Sequence, residues 1–282
     1  MQVALQQRKI LKTICTDSTG LLSKITNIFH NHELNILENT EFVDHASSLF
    51  FMRTDLEGVF DENCFLKDLD VVLPENSRCE LHFVGRHKIV ILVSQEAHCL
   101  GDLLIKSAYG ELDVDIAAVI GNHEKLRSLA ERFEIPFIFL SHQGVTRLDQ
   151  DRNIADSIDL YQPDYIVLAK YMRILTPEFV YRYQNKIINI HHSLLPAFIG
   201  AQPYHQAYER GVKIIGATAH YVSHKLDAGP IIMQDVIHID HSYTVADMIR
   251  AGRHVEKNVL SRALHQVLTQ RIFIHGNRTI LL

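Results

Sequence analysis

The chain has 282 residues, 47% of them apolar, and 28 basic against 33 acidic side chains mixed along it for a net charge of -5; this allows a buried core and two domains but supplies no basic block for a nucleic acid. Four scattered cysteines, Cys15, Cys64, Cys79 and Cys99, with no C-x-x-C pair, exclude a disulfide framework and a zinc ribbon. The segment up to Lys12 lacks a signal-peptide core and no apolar run approaches the ~18 residues of a membrane span, so a cytoplasmic protein with no membrane partner is expected.

From Arg8 to Val84 the pattern reads strand, helix, strand, strand, helix, strand. Ile10 to Cys15 is the first strand. Thr16-Asp17-Ser18-Thr19-Gly20 then makes a turn with Ser18 or Thr19 as helix cap, and Leu21, Ile25 and Ile28 recur at helical spacing. Asn35 to Phe42 and Ser47 to Thr54, parted by Asp44-His45-Ala46, read as a hairpin. A helix around Glu62 to Asp70 and a strand from Cys79 to Val84 follow. This βαββαβ order predicts a ferredoxin-like domain, an antiparallel sheet with helices on one face.

Gly85-Arg86-His87 reads as a linker, which places one domain at residues 1–85 and a second at 86–282. Lys88 to Val93, Val114 to Ile120, Pro136 to Leu140, Tyr165 to Ala169 and Lys186 to Ile190 are apolar strand-like runs separated by helical periodicity, as at Leu126 to Phe133 and Ile154 to Leu160. Strands apolar on both faces that alternate with helices predict a Rossmann-like, mostly parallel sheet. Strands near Ile214 to Val222 and Ile231 to Ile237 precede a long helix from about Val245 to Thr269. Ile272 to Ile274 is expected to be a final strand closing the second domain.

In an open parallel sheet ligands bind where loops leave the carboxyl ends of the strands. The strand ending at Ile190 runs into His191-His192-Ser193-Leu194-Leu195-Pro196, and Asn189 and His191, two residues apart, point the same way from an extended backbone. Asp227-Ala228-Gly229-Pro230 adds a carboxylate in a loop between two apolar strands. An amide, an imidazole and a carboxylate together suffice to stabilise an oxyanion, move a proton and hold the imidazole charged. His192 falls on the opposite face and is read as structural. His220 faces the site from a neighbouring strand, either to steady Asp227 or a water or as a plain structural hydrogen bond. Ser193 lacks a Gly-x-Ser-x-Gly elbow and reads as a capping residue.

Asn189-Ile190-His191, Ser193-Leu194-Leu195-Pro196 and Asp227-x-Gly229-x-Ile231-Ile232 resemble the signature of the 10-formyltetrahydrofolate-dependent formyl transferase and hydrolase superfamily, over nearly all of residues 86 to 282. The resemblance implies that Asn189, His191 and Asp227 are catalytic and that no metal is used. It implies that the loop Met172-Arg173-Ile174-Leu175, with His220 and Val222, binds the folate, the substrate being 10-formyltetrahydrofolate with no permanently bound cofactor. Arg173 has the alternative of a surface ion pair.

The superfamily's nucleotide-directed members carry a glycine-rich phosphate loop after the first strand, whereas here Glu96 stands near the turn after Val93, a poor place for a phosphate. Glu96-Ala97-His98-Cys99-Leu100 resembles the deformylases instead, which places His98 and Cys99 beside the water pocket, the alternative being a plain helix-start histidine and a buried structural cysteine. Gln202 departs from that pattern, where a basic residue is expected before Pro203. Asp17-Ser18-Thr19-Gly20-Leu21 in its βαββαβ setting resembles an ACT domain, which implies an amino-acid effector at Asp17, Gly20 and Leu21 and a homo-oligomer, a dimer, tetramer or hexamer. The deformylase arrangement implies hydrolysis to formate and tetrahydrofolate, formate for purine synthesis and a balanced folate pool. The rivals are a formyltransferase to an amine and a regulatory binding protein with a degenerate catalytic domain.

Overall fold

A computed structural model describes residues 7–197 and 203–282. The chain divides into a first unit, the residues up to Gly85 with Thr269–Phe273 and Ile280–Leu282, and a second, Arg86–Leu268 with Ile274–Thr279. The expected boundary at residues 85 and 86 gives the C-terminal tail no part in the first unit.

In the first unit β1 (Gln7–Thr16), α1 (Leu21–Asn31), β2 (Asn35–Asp44), β3 (Leu49–Gly58), α2 (Glu62–Val72) and β4 (Arg78–Phe83) follow in chain order. The strands form an antiparallel sheet in the order β2-β3-β1-β4, the ferredoxin-like arrangement that the βαββαβ pattern predicts. Leu21, Ile25, Ile28 and Phe29 recur three and four apart on α1 and are buried with Phe65 and Leu69 of α2 against Leu11, Met52 and Leu56 of the sheet. Asp61 caps α2, its carboxylate accepting from Cys64 N at 2.7 Å. The side-chain cap expected for α1 at Ser18 or Thr19 is not formed: the cap position is Gly20, left-handed at φ 78°. Here the backbone itself turns the chain into the helix, which glycine does at no steric cost.

The tail completes this unit. Phe273, 1% exposed, meets the ring of Phe51 edge-on at 5.8 Å, Arg271 pairs with Glu38 at 2.9 Å, and Arg53 donates to Thr269 O. The run Ile272 to Ile274 lies in β12 (Ile272–His275), which pairs only with β13 (Arg278–Leu281) in a separate two-stranded sheet. A strand this short has no periodicity that could tell one sheet from another.

The second unit follows the order β5 (His87–Val93), α3 (His98–Ala108), β6 (Val114–Gly121), α4 (Arg127–Glu131), β7 (Phe137–Phe139), α5 (Arg147–Asp159), β8 (Tyr165–Ala169), α6 (Pro177–Arg182), β9 (Ile187–His191), α7 (Pro203–Glu209), β10 (Ile214–Tyr221), β11 (Ile231–His238) and α8 (Val245–Leu268). Its sheet runs β11-β10-β9-β8-β5-β6-β7, parallel from β9 to β7 and antiparallel at β10 and β11. Ile89 to Val93 on central β5 are all fully buried, as a strand covered on both faces requires. The chain leaves β5 toward β6 and β7, then crosses back to β8 and β9, so a crevice opens at the carboxyl ends of β5 and β8. Among the described residues no helix is long and apolar enough to cross a membrane.

Phe273→Ala removes a fully enclosed ring from the first unit, so a loss of about 3–5 kcal/mol is expected in chemical denaturation. An unchanged transition would show that the tail adds nothing to that core.

Candidate active site

The site begins with the register between β9 and β10. Antiparallel pairing sets Asn189 opposite His220 and His191 opposite Thr218. His220 Nδ1 donates to the carbonyl of Tyr221 at 2.9 Å, which leaves Nε2 as an acceptor; the Asn189 amide lies 3.1 Å from it. Hydrogen bonding therefore assigns the tautomer of His220 and the orientation of the Asn189 side chain. One amide N–H of Asn189 is used in this bond, and the residue lines the cleft.

The carboxylate of Asp227 completes the group. Its Oδ2 lies 3.5 Å from His191 Nδ1 and its Oδ1 lies 3.9 Å from His220 Nε2. His191 is 6% exposed, and its Nε2 is buried without a hydrogen-bond partner among the described residues. The ring thus has one nitrogen facing a carboxylate and a second one bare, the arrangement that general-base chemistry needs. Burial lowers the pKa of His191 against the opposing charge of Asp227, while His220 and Lys170 lower it further, so at neutral pH the ring is uncharged. Burial lowers His220 as well, against its bond to Tyr221 O.

Asp227 reaches this position through the loop between β10 and β11. Its backbone is left-handed at φ 51°, a conformation that Asp tolerates better than most residues. Gly229 lets the loop lie flat on β10, since a Cβ there would sit 1.8 Å from Tyr221 O. The segment after β9 is pinned by a residue that the sequence reading passes over. Thr218, fully buried on β10, donates to Ser193 O at 2.8 Å and accepts from Leu195 N at 3.0 Å and from Gln234 Nε2 at 2.9 Å. A threonine inside a strand reads as an ordinary β-former, so neither it nor Gln234 stands out in the sequence. Ser193 is turned inward to donate to Ala197 O at 2.9 Å, which makes it a turn residue.

These groups open on a cleft of about 330 Å³ lined by Met172, Arg173, Ile174, Leu175, His220 and Val222 together with Asn189, His191 and Asp227. Ser94 Oγ accepts from Met172 N at 3.0 Å and Asp151 Oδ2 from Thr176 N at 2.6 Å, and these bonds fix the 172–175 wall from both ends. Leu175 is buried, but Met172, Ile174 and Leu226 are 59%, 53% and 55% exposed. Unpartnered apolar surface beside a polar floor suits a flat, partly apolar ligand. Arg173 is exposed on the same wall. His192 lines both this cleft and a smaller cavity beside Tyr204.

His98 and Cys99 lie elsewhere and are not among the residues that line the cleft. His98 Nε2 is 2.8 Å from Glu256 Oε2, Lys170 Nζ is 3.0 Å from the same oxygen, and Tyr204 donates to Oε1 at 2.8 Å. Burial works against the charge on Glu256, yet His98, Lys170 and Tyr204 hold its pKa at about 2. The donor atoms of His98, Cys99 and Glu256 fall within 4.8 Å of one another, as a metal site requires. However, burial raises the Cys99 thiol well above its usual pKa and an ammonium already sits on the carboxylate, so the group fits a charge network better than a cation. In the first unit Asp17 is exposed with its N–H on Ser48 O at 2.9 Å, Gly20 forms the turn, and Leu21 faces the core. Gln202 lies outside the described residues.

Residues 87–264 match the formyl transferase family model. The chain is 70% identical to a formyltetrahydrofolate deformylase of Escherichia coli K12 over 98% of its own length and 99% of that protein's. A crystal structure of a formyltetrahydrofolate deformylase from Pseudomonas syringae is similar with a TM-score of 0.91 and 37% identity, covering 100% of this chain and 96% of that one. A glycinamide ribonucleotide transformylase from Symbiobacterium toebii, 30% identical with a TM-score of 0.68, covers 72% of this chain and 98% of its own.

Thr218→Val keeps the volume but leaves a buried carbonyl and amide of the 193–195 segment without a partner, a cost of about 1–3 kcal/mol. Thermal unfolding measures it, and a stability equal to wild type would show that the loop is held by other means.

Proposed function

The chain belongs to the formyltetrahydrofolate deformylase family, within the larger formyl transferase family, and from that premise we propose that Asn189, His191 and Asp227 hydrolyse 10-formyltetrahydrofolate to formate and tetrahydrofolate. The observation that carries this reading is the bare Nε2 of His191, whose other ring nitrogen faces the Asp227 carboxylate at 3.5 Å in the cleft that Asn189 also lines.

In this reading the pteridine lies along Met172 to Leu175 with Val222 opposite, and the free N–H of Asn189 donates to the formyl oxygen. A water on His191 Nε2 gives its proton to the ring as its oxygen bonds to the formyl carbon. The carbonyl becomes a tetrahedral oxyanion held by Asn189 and by the new imidazolium, whose charge Asp227 balances. His191 then returns the proton to N10. The C–N bond breaks, the electron pair stays on nitrogen and formic acid forms, ionising to formate. His220 orients the amide of Asn189. The side chains named here and the folate substrate are sufficient for this chemistry, with no further cofactor and no metal.

The setting follows from the same premise. Formate released in the cytoplasm would feed purine synthesis, and hydrolysis would rebalance the one-carbon folate pool. The ferredoxin-like first unit suits an ACT regulatory role with an amino-acid effector at Asp17, Gly20 and Leu21. Exposed Ile36, Leu37 and Phe42 on its edge strand β2 support pairing of copies into a homo-oligomer.

Purified protein given 10-formyltetrahydrofolate alone should release tetrahydrofolate and formate in equal amounts; a requirement for an amine that becomes formylated would select a transferase instead. Asn189→Ala should lose roughly two to three powers of ten in kcat. His191→Ala should lose about 10² to 10⁴, with Asp227→Asn comparable. Near wild-type rates in all three would sink the assignment.

The pH dependence has a definite sign. His191 works as the neutral base and its pKa is lowered by burial, so the acid limb of kcat/KM should lie below the ordinary imidazole range. Asp227 raises that pKa, so Asp227→Asn should move the limb to still lower pH while lowering the rate. A limb above the free-imidazole value would contradict the neutral-base role.

A further inference from the structure

One charged group in the cleft wall has no part in the chemistry above. Lys170 follows β8 with a left-handed backbone at φ 61° and is 4% exposed. It lines the same cleft as Asn189, His191 and Asp227. Its Nζ lies 3.0 Å from Glu256, itself 1% exposed, and 3.8 Å from Glu96. An unpaired ammonium at such burial would be strongly disfavoured, so the pairing accounts for its presence but not for its position. That position is costly twice over: the backbone is in a region that non-glycine residues rarely occupy, and the side chain draws a carboxylate into the interior with it.

The anchor is built to stay fixed. Glu256 on α8 is held by His98 of α3, by Tyr204 of α7 and by Lys170. Glu96, just before α3, is held in turn by Arg253 at 3.2 Å. The outcome is a fixed ammonium–carboxylate pair whose lysine lines the cleft and whose carboxylates, Glu96 and Glu256, are not among the residues that line it. A fixed dipole of this kind needs no reorganisation when charge develops beside it, and in a site shielded from water its effect is large.

We propose that Lys170, anchored by Glu256, is a positioning residue for the deformylation reaction: its ammonium, held in the wall of the cleft that Asn189, His191 and Asp227 share, favours the negative charge that develops on the formyl oxygen. This rests on the role of His191 given above. The other charged or titratable groups facing His191 are Asp227 from the β10–β11 loop, His220 from β10 and His192 beside it. Of the pair, Lys170 lowers the His191 pKa and Glu256 raises it, and Lys170 also helps push His192 down to about 4 after burial. The ion pair therefore predicts two shifts of opposite sign from the two ends of one interaction. A purely structural role would lower both activities without moving either profile.

The test compares pH profiles of kcat/KM for wild type, Lys170→Met, Lys170→Arg, Glu256→Gln and the double variant Lys170→Met/Glu256→Gln. His191→Ala serves as the control that identifies the His191 limb. Lys170→Met should lower kcat with KM little changed and move the acid limb to higher pH. Glu256→Gln should move it to lower pH, and Lys170→Arg should keep the wild-type limb. The double variant leaves no lone buried charge, so it folds even where a single variant does not; it should retain the kcat deficit with the limb near its wild-type position. Limbs that coincide in all variants, or that shift the same way in both single variants, overturn the proposal. An acid limb that survives in His191→Ala instead overturns the role of His191, which separates the two failures.

Discussion

The site depends on the antiparallel register of β9 and β10. Because Asn189 lies across from His220 and His191 across from Thr218, one pairing supplies the orienting partner of the amide and the buried anchor of the following loop. A slip of one residue would turn Asn189 and His191 to the opposite face and put apolar isoleucines in their place. The register is secured on the far side by β11, where a bulge at Ala219 and His220 adjusts the strand beside the reacting groups. Geometry at the reacting atoms is thus inherited from backbone hydrogen bonds several residues away.

The second constraint is desolvation. The cleft wall holds the imidazoles of His191, His192 and His220, whose pKa values burial lowers, together with a carboxylate and a buried ammonium. Water would screen these charges into near irrelevance, but burial makes each respond to the others. Neutral His191 and His220 are consequences of that burial, and so is the need for Glu256 to be met by three partners at once. The same low dielectric that makes the groups expensive to assemble makes them effective once assembled.

Much of this was legible in the sequence because the large features announce themselves through periodicity. Apolar runs such as Ile89 to Val93 identify covered parallel strands, the βαββαβ order identifies the first unit's sheet, and the Asn189, His191 and Asp227 motifs come together in one cleft. The features that escaped have no periodic or motif signal. Gly20 serves as a cap through its own backbone angles, Thr218 looks like any strand threonine, and the C-terminal tail joins a unit nearly 200 residues away in sequence. His98 and Cys99 show the same limit from the other side. Proximity to the first β-strand turn suggested the water pocket, but their side chains turn toward Glu256 on α8, a helix that only the tertiary fold brings there.

That turn also bears on why water rather than an amine would receive the formyl group. A phosphorylated acceptor needs several backbone N–H groups or cations that are free to clasp it. Near the end of β5 the cations Lys170 and Arg253 are already committed to Glu96 and Glu256, and His98 is committed to Glu256. Bringing in a phosphate dianion would require breaking these ion pairs, the buried Lys170–Glu256 pair among them, while adding charge of the same sign as the two carboxylates. Water faces neither obstacle. It needs no counter-charge and can leave with the product as part of formate. The charge network that holds Lys170 in place thus removes the means of holding a competing acceptor, so rate and acceptor choice trace to the same few buried groups.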